Sequence, residues 1–245
     1  MDDLTEAVGT WCSLSDPAVV ELAAGGDVDF VVVDTEHTSM GLETVADCLR
    51  AAAAGGCPAV ARVPWNDPVR IKRLLDLGPE GLLVPMVDTA AEAREAVAAT
   101  RYPPAGVRGI AAARAADYGR SVERYVESTH RELTVVVQIE SGTAVDDAAE
   151  VAAVDGVDAL FVGPADLSAA LGCFGDHDAA AFRAAVETVL EAGAEADVPV
   201  GTLGTTPEEI RTLGDLGFDF LVAGADFAHL IEGQRRTVGA AADVL

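Results

Sequence analysis

Short, almost wholly apolar runs alternate along this chain with longer stretches in which apolar residues recur every three or four positions. The first pattern predicts strands buried on both faces of a parallel sheet, and the second predicts amphipathic helices that cover it. Strand candidates are Val8–Leu14, Asp29–Asp34, Pro58–Val63, Gly81–Pro85, Leu133–Ile139, Asp158–Val162, Pro199–Leu203 and Phe218–Ala223. Helical stretches lie at Pro17–Ala24, Leu42–Ala54, Pro68–Leu77, Ala90–Thr100, Ala144–Val154, Ala179–Ala194, Pro207–Leu216 and Phe227–Val244. Several open on an acceptor side chain followed by proline, as in Asp16-Pro17, Asp67-Pro68 and Thr206-Pro207, a helix-start signal. Eight strand–helix units predict an α/β fold, a single (β/α)8 TIM barrel spanning 1–245 as one domain. An open doubly wound sheet is the alternative, but no GxGxxG fingerprint accompanies it.

Half of the 245 residues are apolar, enough for a large core. The apolar runs are shorter than a membrane span and the N-terminus lacks a secretion pattern, so a cytoplasmic protein is expected. Cys12, Cys48, Cys57 and Cys173 show no CxxC spacing and read as reduced thiols. The charge narrows the partners further: 41 acids against 16 bases give a net charge of −25. Such a surface repels nucleic acid and anionic membranes, and neither is expected as a partner. Lys72 is the only lysine. Acid excess with lysine depletion resembles proteins of salt-loving organisms, in which high ionic strength screens the self-repulsion.

In a parallel barrel the chemistry belongs to the residues that follow the strands. The fifth strand ends on Glu140 and the sixth runs into Gly163-Pro164-Ala165-Asp166. A right-handed crossover places both strand ends on one side. Two carboxylates there suit a divalent cation that keeps some of its waters, although Asp166 could equally be a helix cap. The second strand ends Asp34-Thr35-Glu36-His37 and the third ends on Arg62. Trp11 and Leu203 also fall at strand ends, where they could line a pocket or simply pack. Lys72 lies in the amphipathic run Arg70-Ile71-Lys72-Arg73, a solvated setting that disfavours imine chemistry. Arg108 and Arg114 are candidates for binding an acceptor carboxylate, or for bridging surface acids. His130, His177 and His229 lie in or near helices and read as surface or capping residues.

The segments DTEHTSMGLE, ARVPWNDPVRIKRLLDLGPEGLLVPMVDTAAEA, RYPPAGVRG, VQIESGTAV and GVDALFVGPADLSAALG, in that order, resemble the motifs of the HpcH/HpaI aldolases. These are metal-dependent class II pyruvate aldolases of the 2-dehydro-3-deoxyglucarate or 4-hydroxy-2-oxoheptanedioate aldolase type, and the similarity runs from Trp11 to Asp226. The resemblance implies a barrel of the phosphoenolpyruvate/pyruvate superfamily. It implies reversible cleavage of a 4-hydroxy-2-oxo acid to pyruvate and an aldehyde through a metal-stabilised pyruvate enolate. The metal would be Mg2+ or Mn2+, with Co2+ or Zn2+ as alternatives. The assembly would be a trimer-based hexamer; the alanine-rich face of the C-terminal helix 227–244 separately suggests packing against the barrel or a neighbouring subunit. Carried over residue by residue, Glu140 and Asp166 would ligate the metal, Arg62 would hold the keto oxygen and the enolate, His37 would move the proton, and Gln138 would help position the ligand; Ala165, Trp11 and Leu203 are further candidates for substrate contact. Asp76 lies near the end of the third helix, away from its own His37; the resemblance pairs it with the partner subunit's His37, while the bland reading is a solvated acid before Gly78. Two stretches depart from the family pattern: IAAARAADYG after Gly109, and Cys173-Phe174-Gly175. Two other activities stay open. One is a CoA-thioester lyase of the citrate lyase β-subunit or malyl-CoA lyase type, which generally lacks the histidine of DTEHTS. The other is a non-catalytic barrel that binds a 2-oxo acid, which has no need of His37, Arg62, Glu140 and Asp166 together.

Overall fold

Eight parallel strands close into a barrel in sequence order: β1 (Val8–Cys12), β2 (Phe30–Asp34), β3 (Ala59–Arg62), β4 (Gly81–Val84), β5 (Thr134–Ile139), β6 (Ala159–Val162), β7 (Val200–Gly204) and β8 (Phe220–Ala225), with β8 returning to β1. The structure is a computed structural model that describes residues 4–245, apart from the side chain of His130. Residues 1–3 of the expected domain, and the surface role expected of His130, lie outside the described residues.

The helices are α1 (Pro17–Ala24), α2 (Leu42–Ala54), α3 (Pro68–Leu75), α4 (Ala90–Thr100), α5 (Val122–Glu132), α6 (Gly142–Asp146), α7 (Ala148–Ala152), α8 (Pro164–Ala170), α9 (Ala180–Ala196), α10 (Pro207–Gly214) and α11 (Asp226–Ala242). Asp16, Asp67 and Thr206 each cap the helix that follows through the side chain, so the proline-start signals mark real N-termini. The structure differs from the expected elements in three places. The stretch expected as one helix at Ala144–Val154 breaks at Asp147, whose carboxylate accepts the Ala90 N–H at 2.7 Å and so ties the break to the start of α4. A helix, α5, for which no stretch was expected, lies between the segment after Gly109 and β5. The residues after Gly163 form the short α8 ahead of α9.

Two cores follow from the alternation of side chains along each strand. Val31, Val33, Leu82, Val84, Val135 and Val137 face outward into the layer under the helices, while Phe30, Val32, Val60, Leu83, Val136, Phe161, Phe220 and Val222 fill the barrel interior. Gly9 and Gly201 make room there, because a Cβ at either position would collide with the ring of Phe30 or Phe220.

At the floor the strands are joined in pairs. Asp29 accepts the Val8 N–H at 2.8 Å, Glu80 that of Ala59 at 3.0 Å, Asp158 that of Val135 at 2.7 Å and Asp219 that of Val200 at 2.8 Å. Each acid also donates its own N–H to the carbonyl of the same residue. An acid just ahead of every even-numbered strand thus grips the odd-numbered strand before it at two points. No helix among the described residues is long and apolar enough to cross a membrane.

Candidate active site

Arg62 ends β3 pointing into the barrel mouth, one strand over from Asp34, its register partner on β2. Its Nε and Nη2 each donate at 2.8 Å to the two oxygens of Asp34, a two-point grip on a buried side chain. Nη1 stands 2.9 Å from Glu36 Oε2 as an ion pair without hydrogen-bond alignment, and the guanidinium lies 4.6 Å above the Trp11 ring. Burial alone would raise the Asp34 carboxyl, but Arg62, with the Glu36 amide and the Trp11 indole, holds it below the ordinary carboxylate range. Glu36 moves the other way: burial, reinforced by Asp34 and Asp166, raises it against Arg62 and His37. His37 follows on the exposed side, with Nε2 3.5 Å from Glu36 Oε1.

Glu140 closes β5 and is buried. Its Oε1 accepts the Met86 N–H at 2.6 Å and its Oε2 accepts from the Gln138 amide. Met86 can aim that N–H because it adopts a left-handed φ of 55° just after β4, a conformation that costs a non-glycine residue about 1–2 kcal/mol. Burial, helped by the charges of Glu36 and Asp166, pushes the Glu140 carboxyl up to about 7 against these hydrogen bonds. Gly163, between β6 and α8, faces Glu140 so closely that a Cβ would stand 3.0 Å from its Oε2. Asp166 occupies the first turn of α8 beyond it.

A cavity of about 490 Å³ opens over these groups. Of the residues singled out from the sequence, Trp11, His37, Arg62, Gln138, Ala165, Asp166 and Leu203 line it, and Glu140 lies next to the lining residues Gln138 and Gly163. Asp76 does not line it; it caps the C-terminus of α3, where Arg108 Nη2 approaches at 3.4 Å. Arg108 is fully buried there between the rings of Tyr102 and Tyr125, and Arg114 donates to the carbonyl of Gly78. Neither arginine reaches the cavity, and nor does Lys72. In the sequence Asp34 and Glu36 only end the second strand, where Glu36 reads equally as a residue that orients local hydrogen bonds or as a loop acid. The available signal was spacing: Phe30, Val32 and Asp34 share one face of β2, and that face is the barrel interior. The rim formed by Phe174, His177, Thr205, Glu209 and Phe227 was not expected from the sequence.

The donor set fits a hard divalent cation. Arg62 is occupied by Asp34 and Glu36, while Glu140, whose carboxyl is raised by burial and by the charges of Glu36 and Asp166, has no cation of its own among the described residues. Gln138 Oε1 is buried without a hydrogen-bond partner among the described residues. No group of three His, Cys, Asp or Glu among those residues forms a closed cage, so an ion held by Glu140 and Asp166 would keep part of its hydration.

Known proteins resemble this chain in sequence and in fold. The family model for HpcH/HpaI aldolase/citrate lyase matches residues 7–233. A 4-hydroxy-2-oxo-heptane-1,7-dioate aldolase of Salmonella arizonae is 41% identical over 228 residues, covering 92% of this chain and 86% of the relative. A hydroxypyruvate/pyruvate aldolase of Chromohalobacter salexigens is 39% identical over 232 residues, covering 94% and 91%. Among solved structures, an HpcH/HpaI aldolase/citrate lyase family protein from Burkholderia cenocepacia superposes with a TM-score of 0.92 at 36% identity, covering 98% of this chain and 96% of the other.

Proposed function

We infer the activity from one premise: the chain belongs to the HpcH/HpaI aldolase/citrate lyase family. It is a carbon–carbon lyase that cleaves a 4-hydroxy-2-oxo acid to pyruvate and an aldehyde, the reaction type that the names of its relatives carry. The observation that carries this reading is the meeting, at one cavity, of a pre-aimed guanidinium with the buried Glu140 and the exposed Asp166.

Arg62 supplies positive charge where negative charge develops on the keto oxygen. Asp34 and Glu36 fix its plane before substrate arrives, so no reorganisation is needed during the reaction. Its two Nη atoms keep hydrogens beyond those directed at the two acids, and these can donate into the cavity. His37, exposed and beside Glu36, is placed to take the proton of the 4-hydroxyl in cleavage and return it in condensation. Trp11 and Leu203 wall the site with apolar surface and exclude water from pyruvate C3. Glu140 and Asp166 would hold a divalent cation, magnesium or manganese by the hardness of their oxygens. Such an ion, when bound, acts as a Lewis acid on the 2-oxo group.

Asp76 belongs to this reading as a residue lent to the partner subunit's His37, since it lies outside its own cavity and its side chain is about a quarter exposed. The same assembly accounts for α11. None of its residues is buried, and Leu230, Ile231 and Val238 face solvent, an apolar face suited to a neighbouring subunit of a homo-oligomer. The charge of −25 points to a salt-rich interior as the working environment.

The deciding experiment follows pyruvate release from a panel of 4-hydroxy-2-oxo acids and malyl-type CoA thioesters, with and without chelator. Release from the free acids alone, abolished by chelator and restored by added Mg2+ or Mn2+, is expected. Turnover of thioesters only, or no turnover at all, refutes the proposal.

A further inference from the structure

The turn that ends α3 is held more firmly than a surface turn requires. Asp76 caps the helix, and the segment running from Arg108 to Ala115 grips it and the residues after it. The Ala115 N–H donates to the Asp76 carbonyl at 3.2 Å, Arg114 donates to the carbonyls of Leu77 and Gly78, and Arg108 Nη2 donates to Asp76 Oδ1 at 3.4 Å. Asp76 Oδ2 takes no hydrogen bond among the described residues, and the side chain is 26% exposed.

Neither charge of this pair is favoured by its own surroundings. A carboxylate at a helix C-terminus meets the negative end of the macrodipole. Arg108 is fully buried, its guanidinium 4.8 Å from the ring centre of Tyr102 and 5.3 Å from that of Tyr125. It donates through Nη2 alone, to Asp76 and to the Tyr125 hydroxyl, while Nε and Nη1 have no hydrogen-bond partner among the described residues. Those two atoms are covered by the chain itself, so a neighbouring subunit adds nothing to them. An uncharged side chain of similar length would fill the slot between the rings at lower cost, because a buried cation with unmade hydrogen bonds is expensive. What the charge achieves is outside the slot: it fixes the Asp76 carboxylate through one oxygen and leaves the other open.

We propose that Arg108 is a positioning residue of the reaction, aiming Asp76 Oδ2 at the partner subunit's His37; this rests on the reading of Asp76 given above. Arg108 itself touches no substrate, being buried away from the cavity. A histidine that moves a proton is held in one orientation by the acid behind it, and an acid free to rotate loses that control.

The test is a double-mutant cycle on the assembled protein, read in pyruvate release and in Tm. Asp76→Asn is expected to lower kcat about a hundredfold. Arg108→Met should lower kcat about tenfold and leave KM within about twofold of the wild type, since it meets no substrate. The double variant should match Asp76→Asn alone, because Arg108 then has no carboxylate to aim. Arg108→Met should also keep the sedimenting mass of the wild type, with a Tm within about 3 °C of it or higher, since the charge removed does not hold the fold together. A further loss of kcat in the double variant, a larger fall in Tm, a smaller mass or failure to fold identifies Arg108 as a structural post and overturns the inference. So does a wild-type kcat in Arg108→Met beside an impaired Asp76→Asn. If Asp76→Asn itself turns over at the wild-type rate, the reading of Asp76 falls, and this inference with it.

Discussion

Arg62 acts through the side chains that aim it, and Asp34 grips it at two points. Replacing Asp34 by Asn removes a charge-assisted pair inside the barrel while leaving an acceptor in place. The expected cost is about 2 kcal/mol of stability, read from denaturant unfolding. Pyruvate release should fall about a hundredfold in kcat/KM, as for a misdirected donor; an unchanged kcat/KM would show that Arg62 needs no such guide. Glu140 makes a different prediction. Its carboxyl is raised to about 7 in the fold, so the folded protein binds that proton more tightly than the unfolded chain. The metal-free protein therefore gains stability as the pH falls through about 7 toward the ordinary carboxylate range, and lacks that gain above it. Between about pH 8 and about pH 6 the chelator-treated protein should rise in Tm relative to Glu140→Gln. Parallel profiles for the two proteins would contradict this. The sequence made Glu140 and Arg62 visible because a charged residue that ends a valine-rich run has few other uses. Met86 was not visible, because its contribution is a backbone N–H set by a left-handed φ, and side-chain chemistry carries no sign of it.

Elements were legible to the extent that their stability comes from a repeating pattern. Each strand candidate overlaps an observed strand, and α1, α2 and α4 match the expected bounds, because valine runs and proline-headed amphipathic stretches are local signals. The break at Asp147 depends on its bond to Ala90, and α5 packs Tyr125 against Tyr102 and Arg108, contacts that no short window of sequence contains. The most exposed element, α11, carries its own prediction. Changing Leu230 and Ile231 together to Asp should leave the circular dichroism of the barrel intact, since neither side chain is buried in the chain itself. The mass measured by sedimentation should drop to a smaller species. An unchanged mass would mean that this face has no subunit to cover.

For the molecule as a whole, a net charge of −25 on 245 residues must be held together against its own repulsion. Salt relieves that repulsion, and Tm should rise steadily between about 0.05 M and about 2 M salt, where the Debye length shrinks below the spacing of surface charges. A flat dependence would mean that the acids are already neutralised by local partners. Some are, and the four at the floor of the barrel show how: Asp29, Glu80, Asp158 and Asp219 each spend their charge on a backbone amide. Because each of them clasps only the strand that precedes its own, the ring has four seams rather than eight. At the floor, a breathing motion that parts β2 from β3, or β4 from β5, strips no carboxylate of its amide, since the Arg62–Asp34 and Met86–Glu140 links lie at the opposite mouth. One that parts β1 from β2 must do so, and thermal opening at the floor should therefore select the seams and spare the clasped pairs.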